Sequence, residues 1–260
     1  MHKPETASSE IDAPISARKE LGSTAKMESA HEGKAEFDRT AREYETLFKP
    51  WLKIAGASRE HFARSRLHWL SHLLREQGFV PKRVMDFGCG TGMSLGLLAD
   101  ILQAEEVIGL DTSEESLAVA RETVRNRGVH FATPAGYLPR QDLDLVFCNG
   151  VFHHIPVADR PMAMNYVYRC LRPGGLIAMW ENNPWNLIHA VALKYSEIDK
   201  NAVPLSPPQS RQLVSSGPFR ILRTDYLFFF PGYFTWLHPL ERRLHRVPLG
   251  AQYQVLGCKA

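Results

Sequence analysis

Val84-Met85-Asp86-Phe87-Gly88-Cys89-Gly90-Thr91-Gly92 is a short apolar run that ends in three glycines at alternate positions. The amphipathic stretch Met93–Gln103 follows it. This is the pattern of a strand turning into a helix. Glycines at such a turn tolerate positive φ and let the backbone approach a ligand closely. In a doubly wound sheet the turn lies at the carboxyl end of the first strand, where ligands bind. The spacing is G-x-G-x-G, not the G-x-G-x-x-G of dinucleotide sites, and Asp86 stands two residues ahead of the first glycine. An acid there suits a ligand that carries an ammonium and a sulfonium better than a pyrophosphate.

Working outward, short apolar runs alternate with amphipathic stretches from Lys82 onward, the βαβ signature of a mostly parallel sheet. Strands are expected at Arg83–Phe87, Glu106–Asp111, His130–Ala132, Leu143–Asn149, Leu176–Glu181, Ile221–Phe230 and Gln252–Cys258. Helices are expected at Met93–Gln103, Glu114–Arg127, Ala158–Leu171, Asn186–Ile198 and Gln209–Ser215. Asp111 closes the second strand, placed to accept hydrogen bonds from a ribose diol; the competing task of capping the next helix can fall to Thr112 or Ser113. Upstream, Phe37, Ala41, Tyr44, Leu47 and Phe48 share one helical face, and a second helix is expected over Arg59–Gln77 with Phe62, Leu67, Leu70 and Leu73 or Leu74 inward. Residues 1–34 are polar and without sustained periodicity, and read as a disordered tail; 35–80 read as a helical cap or lid; 81–260 as the ligand-binding domain, with acceptor-side elements at about 184–250.

Residues Asp86–Gly92 and Gly109-Leu110-Asp111 resemble the first two motifs of class I S-adenosylmethionine-dependent methyltransferases. Asp142–Gly150 resembles that family's fourth strand, and Leu171-Arg172-Pro173-Gly174-Gly175-Leu176 the turn before its fifth. The resemblance implies an α/β, Rossmann-like sheet of seven strands, mostly parallel with the last antiparallel, and S-adenosyl-L-methionine as cofactor with S-adenosyl-L-homocysteine as product. It further implies that Gly88, Gly90 and the backbone of Cys89 line the methionine and ribose, that Asp86 is among the cofactor-binding residues, that Asp111 binds the ribose hydroxyls, and that Leu110 and Thr112 flank the adenine. Asn149 would receive the methionine ammonium through its backbone. Members often carry Asp-Ala ahead of the fourth strand; here Thr133-Pro134-Ala135-Gly136-Tyr137 has no acid, which leaves adenine contact to the backbone around Ala135 and Gly136.

Methyl transfer is an in-line displacement from an activated donor, so alignment and exclusion of water are the main demands, and a neutral acceptor also needs a base. His153 and His154 follow the fourth strand at the rim of the cleft. Adjacent side chains point in different directions, so one of the pair, His153 on side-chain direction, is expected to face the acceptor. The alternative is that one caps the following helix and the other packs. Tyr44, on the lid helix, is a further catalytic candidate that could shield the sulfonium, or else a core tyrosine. Trp180 and Glu181 lie at the carboxyl edge and either line the acceptor pocket or pack. Asn182-Asn183-Pro184-Trp185 resembles the Asn-Pro-Pro-Tyr of methyltransferases acting on base or amide nitrogens, but it follows the fifth strand instead of the fourth.

Thirty-one Lys+Arg against 28 Asp+Glu leave a net charge of +3 with both signs interspersed, not the basic stripe of a nucleic-acid binder. Cys89, Cys148, Cys170 and Cys258 show no ligand spacing, so no metal site is expected, and their scatter suits reduced thiols of a cytoplasmic protein. The aromatic run Leu227–Leu237, followed by Glu241-Arg242-Arg243-Leu244-His245-Arg246, fits peripheral membrane contact through 226–246, a dimer interface or a packed crossover, and leaves monomer or homodimer open. The expected function is methyl transfer to a small-molecule or lipid- or sugar-linked acceptor. Two alternatives remain: a non-catalytic binding protein on the same fold, and an NAD(P)-dependent oxidoreductase, which the glycine spacing and the lack of a Tyr-x-x-x-Lys pair disfavour.

Overall fold

The structure, a computed structural model, describes residues 56–186 and 202–260. The tail, the helix carrying Tyr44 and most of the helix expected at 186–198 lie outside the described residues. The order of elements is α1 (Arg59–Glu76), β1 (Arg83–Phe87), α2 (Leu95–Leu102), β2 (Glu106–Leu110), α3 (Glu114–Thr123), β3 (Val129–Ala132), β4 (Leu143–Asn149), α4 (Arg160–Cys170), β5 (Leu171–Asn182), α5 (Pro207–Ser216), β6 (Phe219–Leu227), a 3-10 turn (Thr235–Leu237), α6 (His238–Leu244) and β7 (Gln252–Lys259). The strands form one sheet in the order β3-β2-β1-β4-β5-β7-β6. β1 through β5 run parallel, and β7 enters antiparallel between β5 and β6. This is the expected seven-stranded, Rossmann-like arrangement.

Strands β1, β2 and β4 are buried on both faces, which is why they read as continuous apolar runs without alternation. One core layer holds Leu67, Leu70, Leu73 and Leu74 of α1 and Leu95 and Leu98 of α2 against Val84, Phe147, Ala178 and Trp180. The other packs Met164 and Val167 of α4 and Leu213 and Val214 of α5 against Met85, Ile177, Val255 and Tyr253. Helix α1 begins where the Ser58 side chain accepts the His61 N–H at 3.1 Å. Each of its buried leucines contributes roughly 1.5–3 kcal/mol of burial.

Several boundaries differ from expectation, the helix expected over Glu114–Arg127 ending at Thr123 among them, and three of the differences have a plain physical reason. β5 starts at Leu171, because the chain bulges through Arg172–Gly175 and regains its register on β4 at Leu176. α5 starts at Pro207: proline lacks the N–H that a first helical turn leaves unused, and Ser206 with Gln209 forms a capping box. β6 ends at Leu227 because Phe228 takes φ +64°, which stops the ladder and sets its ring edge-on to Phe62 of α1 at 4.9 Å. Trp180 is fully buried against the α1 layer, so it packs and does not line an open pocket.

Leu70→Ala, at a fully buried site beneath α1, is expected to lower unfolding free energy by about 2–5 kcal/mol. His68→Ala, on the exposed face of the same helix, should change it by less than about 0.5 kcal/mol. Urea unfolding followed by circular dichroism measures both.

Candidate functional site

The glycine loop leaves β1 and is held from β2. The Gly88 and Cys89 N–H groups both donate to the Leu110 carbonyl, at 2.7 and 3.0 Å. The Gly90 N–H donates to Asp111 Oδ2 at 2.7 Å, and the Ser113 N–H to Asp111 Oδ1 at 2.9 Å. Asp111 therefore clamps the loop and opens the turn into α3, whose N-cap is Ser113. Gly88 has φ +77°, and a Cβ there would stand 2.4 Å from Val151 Cγ2, so the loop packs tightly on the turn after β4. Gly90 also has positive φ, +52°, yet among the described residues, its chain neighbours aside, nothing lies within 4 Å of where its Cβ would be. Space above Gly90, bounded by the Asp111 carboxylate, is the cradle that a close-approaching nucleoside requires, and the residues fit S-adenosylmethionine.

The charge beneath the loop is tuned. Burial pushes the Asp86 carboxyl up to about 7, the Asp111 charge adds to this, and Arg66 on α1 opposes it. Arg66 is itself buried and held down at about 10 by desolvation. Its Nη1 donates to Gln252 Oε1 at 2.8 Å, and Gln252 Nε2 donates to Asn182 Oδ1 at 3.0 Å. Burial drives the Cys89 thiol well above its ordinary range, so it is no thiolate nucleophile.

The remaining expected cofactor residues divide. Leu110 is 1% exposed in the core, so its side chain does not flank open space; its carbonyl tethers the loop instead. Thr112 is exposed at the rim. Ala135 and Gly136 are exposed in the β3–β4 loop, and the Gly136 and Tyr137 N–H groups both return to the Thr133 carbonyl, at 2.9 and 3.0 Å. Asn149 ends β4 in register with Trp180, and the Gly150 N–H donates to the Trp180 carbonyl at 2.9 Å.

His153 and His154 do not diverge. Their ring centroids are 4.1 Å apart and tilted by 43°, because both lie in a turn and not in extended chain. His153 is 6% exposed, with Nδ1 2.5 Å from Glu181 Oε2, while Glu181 Oε1 accepts the Phe152 N–H at 2.9 Å. A Cβ at Gly150 would lie 3.4 Å from His153 Cε1, which places the imidazole over the end of β4. The His153–Glu181 pair and the influence of the Arg66 charge on Asp86 were not legible in the sequence. Their one available signal was a charged residue in an otherwise buried stretch: Glu181 at the end of an apolar strand, Arg66 beside Leu67.

Residues 84–175 match the family model of a methyltransferase domain. A trans-aconitate 2-methyltransferase of Rhodopseudomonas palustris (strain BisB18) is 33% identical over 63% of this chain and 59% of its own length. One of Acidovorax sp. (strain JS42) is 39% identical over 38% of each. The chain thus spans less than two thirds of these relatives. Among solved structures, an S-adenosylmethionine-dependent methyltransferase of Thermotoga maritima superposes with a TM-score of 0.61 at 20% identity, covering 88% of this chain and all of its own. A plantazolicin methyltransferase in complex with S-adenosylhomocysteine gives 0.60 at 14% identity over 90% and 98%. At those identities the likeness is one of fold, and the matched segment contains both the glycine loop and Asp111.

A ligand cation beside Asp86 favours its ionised form, so binding should release a proton wherever the free carboxyl still holds one. The affinity for S-adenosylhomocysteine is therefore expected to rise as pH approaches about 7 from below, by at most about tenfold per unit, and to level off above. Asp86→Asn should flatten that slope, as read by calorimetry in buffers of differing ionisation enthalpy. Asp111→Ala is expected to weaken binding by about 1–3 kcal/mol.

Proposed function

We propose that this chain is a class I S-adenosylmethionine-dependent methyltransferase and that it methylates a small-molecule or lipid- or sugar-linked acceptor that must lose a proton. The observation that carries the reading is the open space over Gly90, bounded by a carboxylate that is already locked to the loop. When bound, the cofactor supplies an activated methyl group that leaves a neutral thioether behind. Asp111 and the glycine loop orient the nucleoside end, and Asp86, buried on β1, acts on the cationic end through its charge. His153, over the end of β4, takes the acceptor's proton as the acceptor atom forms its bond to the methyl carbon. A carboxylate acceptor such as trans-aconitate, in the relatives' names, brings no proton and would not need that base. The imidazole–carboxylate pair thus favours a hydroxyl, amine or acidic carbon.

A second feature bears on the acceptor. Trp236, Leu240 and Arg243 recur at i, i+4 and i+7 through the 3-10 turn and α6, all exposed, with Trp236 at 74%; Tyr233 and Phe234 are exposed just ahead, and Arg242 and Arg246 beside them. Glu241, on the opposite side, accepts the Phe229 and Phe230 N–H groups. An outward aromatic stripe with arginines fits the surface of an anionic bilayer. Among the described residues no helix is long and apolar enough to cross a membrane.

Calorimetric titration with S-adenosylhomocysteine should give saturable binding, with none to NAD or NADP; the reverse preference would return the oxidoreductase reading. A radiolabelled-methyl screen with hydroxyl, amine and carboxylate acceptors should favour the first two, with activity lost in His153→Ala. For the surface stripe, the protein should sediment with phosphatidylglycerol vesicles in low salt, and Trp236→Ser with Leu240→Ser should abolish this. A concentration-dependent dimer lost in the same variant would identify the stripe as a subunit interface.

A further inference from the structure

Arg66 lies in α1 next to Leu67 and is 7% exposed. Its Nη1 donates to Gln252 Oε1 at 2.8 Å. Gln252 opens β7, which runs antiparallel to β5, so it stands opposite Asn182 at the carboxyl ends of the parallel strands. The guanidinium therefore reaches the edge of the sheet that also carries the Gly88–Gly90 loop and Asp111, the edge at which such sheets take ligands.

Its partners there are too few for a buried cation. A guanidinium carries N–H donors on every nitrogen and accepts nothing. Gln252 meets one nitrogen with a neutral oxygen, and its own Nε2 donates onward to Asn182 Oδ1 at 3.0 Å. Arg66 Nε is buried with no hydrogen-bond partner, and among the described residues no carboxylate forms an ion pair with the guanidinium. The surrounding charge does not balance it either. Arg59, earlier on the same helix, works against the Arg66 charge, while Asp86 favours it. Burial raises the Asp86 carboxyl to about 7, so near neutrality that acid is charged only in part. Buried charges in proteins are paired, because water no longer solvates them.

We infer that Arg66, steered by the Gln252 and Asn182 amides, is a binding residue for the carboxylate of a molecule held in the cleft. The inference rests on the reading of that cleft as a methyl-transfer site and deepens it. A carboxylate suits the place better than a phosphate. It is planar and matches the guanidinium fork with two parallel hydrogen bonds. It also carries a single charge, which the nearby Asp86 opposes less than it would a double one. Two molecules bring such a group: the cofactor, at its methionine end, and an acceptor that is an acid in addition to carrying the hydroxyl, amine or acidic carbon that is methylated. The chemistry at Arg66 is the same for both, and the experiment separates them.

The test reads the Arg66 Nε–H resonance by NMR on the full chain labelled with 15N-arginine. The probes are S-adenosylhomocysteine, its methyl ester, and sodium acetate added to the free protein and to the S-adenosylhomocysteine complex, with sodium chloride as the control for ionic strength. A shift with S-adenosylhomocysteine that the ester does not reproduce assigns the site to the cofactor. Calorimetry should then show the ester binding wild type at least about tenfold more weakly, and Arg66→Gln binding both ligands alike. A saturable shift with acetate on the complex, absent with chloride, assigns the site to an acid acceptor. Arg66→Gln should then keep its affinity for S-adenosylhomocysteine within about threefold. Equal shifts from S-adenosylhomocysteine and its ester without a response to acetate, no shift from any probe, or equal shifts from acetate and chloride overturn the inference and leave Arg66 a tether between α1 and β7. Wild type alone decides this, whether or not Arg66→Gln folds. If S-adenosylhomocysteine fails to bind while acetate still shifts the resonance of the free protein, the carboxylate site stands and the methyl-transfer reading falls.

Discussion

The Asp111 carboxylate, bonded to the N–H groups of Gly90 and Ser113, is the constraint on which the site depends. Three peptide groups of the loop would otherwise point into the cleft in a backbone with three positive-φ glycines and little intrinsic rigidity. The Leu110 carbonyl takes two of those N–H groups and the carboxylate takes the third. One strand end thus fixes the floor of the cleft. The parallel pairing of β1 with β2, Phe87 opposite Leu110, is what brings the two ends level.

The same strand ends gather the acidic and basic groups that differentiate the cleft. Asp86 lies under the loop, with Asp111 raising its affinity for a proton and Arg66 lowering it. Arg66 reaches the site from α1, outside the sheet, and continues through Gln252 to Asn182, so the helix, β7 and β5 share one polar seam. On the other side of β4, Glu181 and His153 form a second seam. The strand ends thus hold an acid tuned toward neutrality on one side of β4 and an imidazole–carboxylate pair on the other.

What the sequence revealed and what it hid follow from range. The glycine loop, Asp111 and the two-faced burial of β1, β2 and β4 are local patterns, set by neighbours within about ten residues. Boundaries failed where a single residue's backbone decided the matter: Phe228 in the left-handed region ended β6, and the prolines at 207 and 208 started a helix that looked as if it should begin after them. The relation of His153 to His154 depended on a turn that alternation rules do not describe. Glu181 finds His153 across 28 residues and Arg66 finds Gln252 across 186. No periodicity encodes such pairs, because the sheet order makes them.

β7 is last of the seven strands in sequence but lies inside the sheet, between β5 and β6. During synthesis, β6 therefore has no edge to join until residues 252–259 have emerged, and β5 keeps an open edge for just as long. The nascent protein would complete the β1–β5 part of the sheet first and hold β5, Leu171–Asn182, with one open edge and β6, Phe219–Leu227, unpaired in waiting. Lys259 then closes the sheet: its ammonium donates to Gln141 Oε1 and to the carbonyls of Tyr168 and Leu171, stitching the end of the last strand to the loop before β4 and to the junction of α4 with β5. The carboxyl end of β5, which carries Glu181, is therefore without its β7 neighbour until those residues have been made.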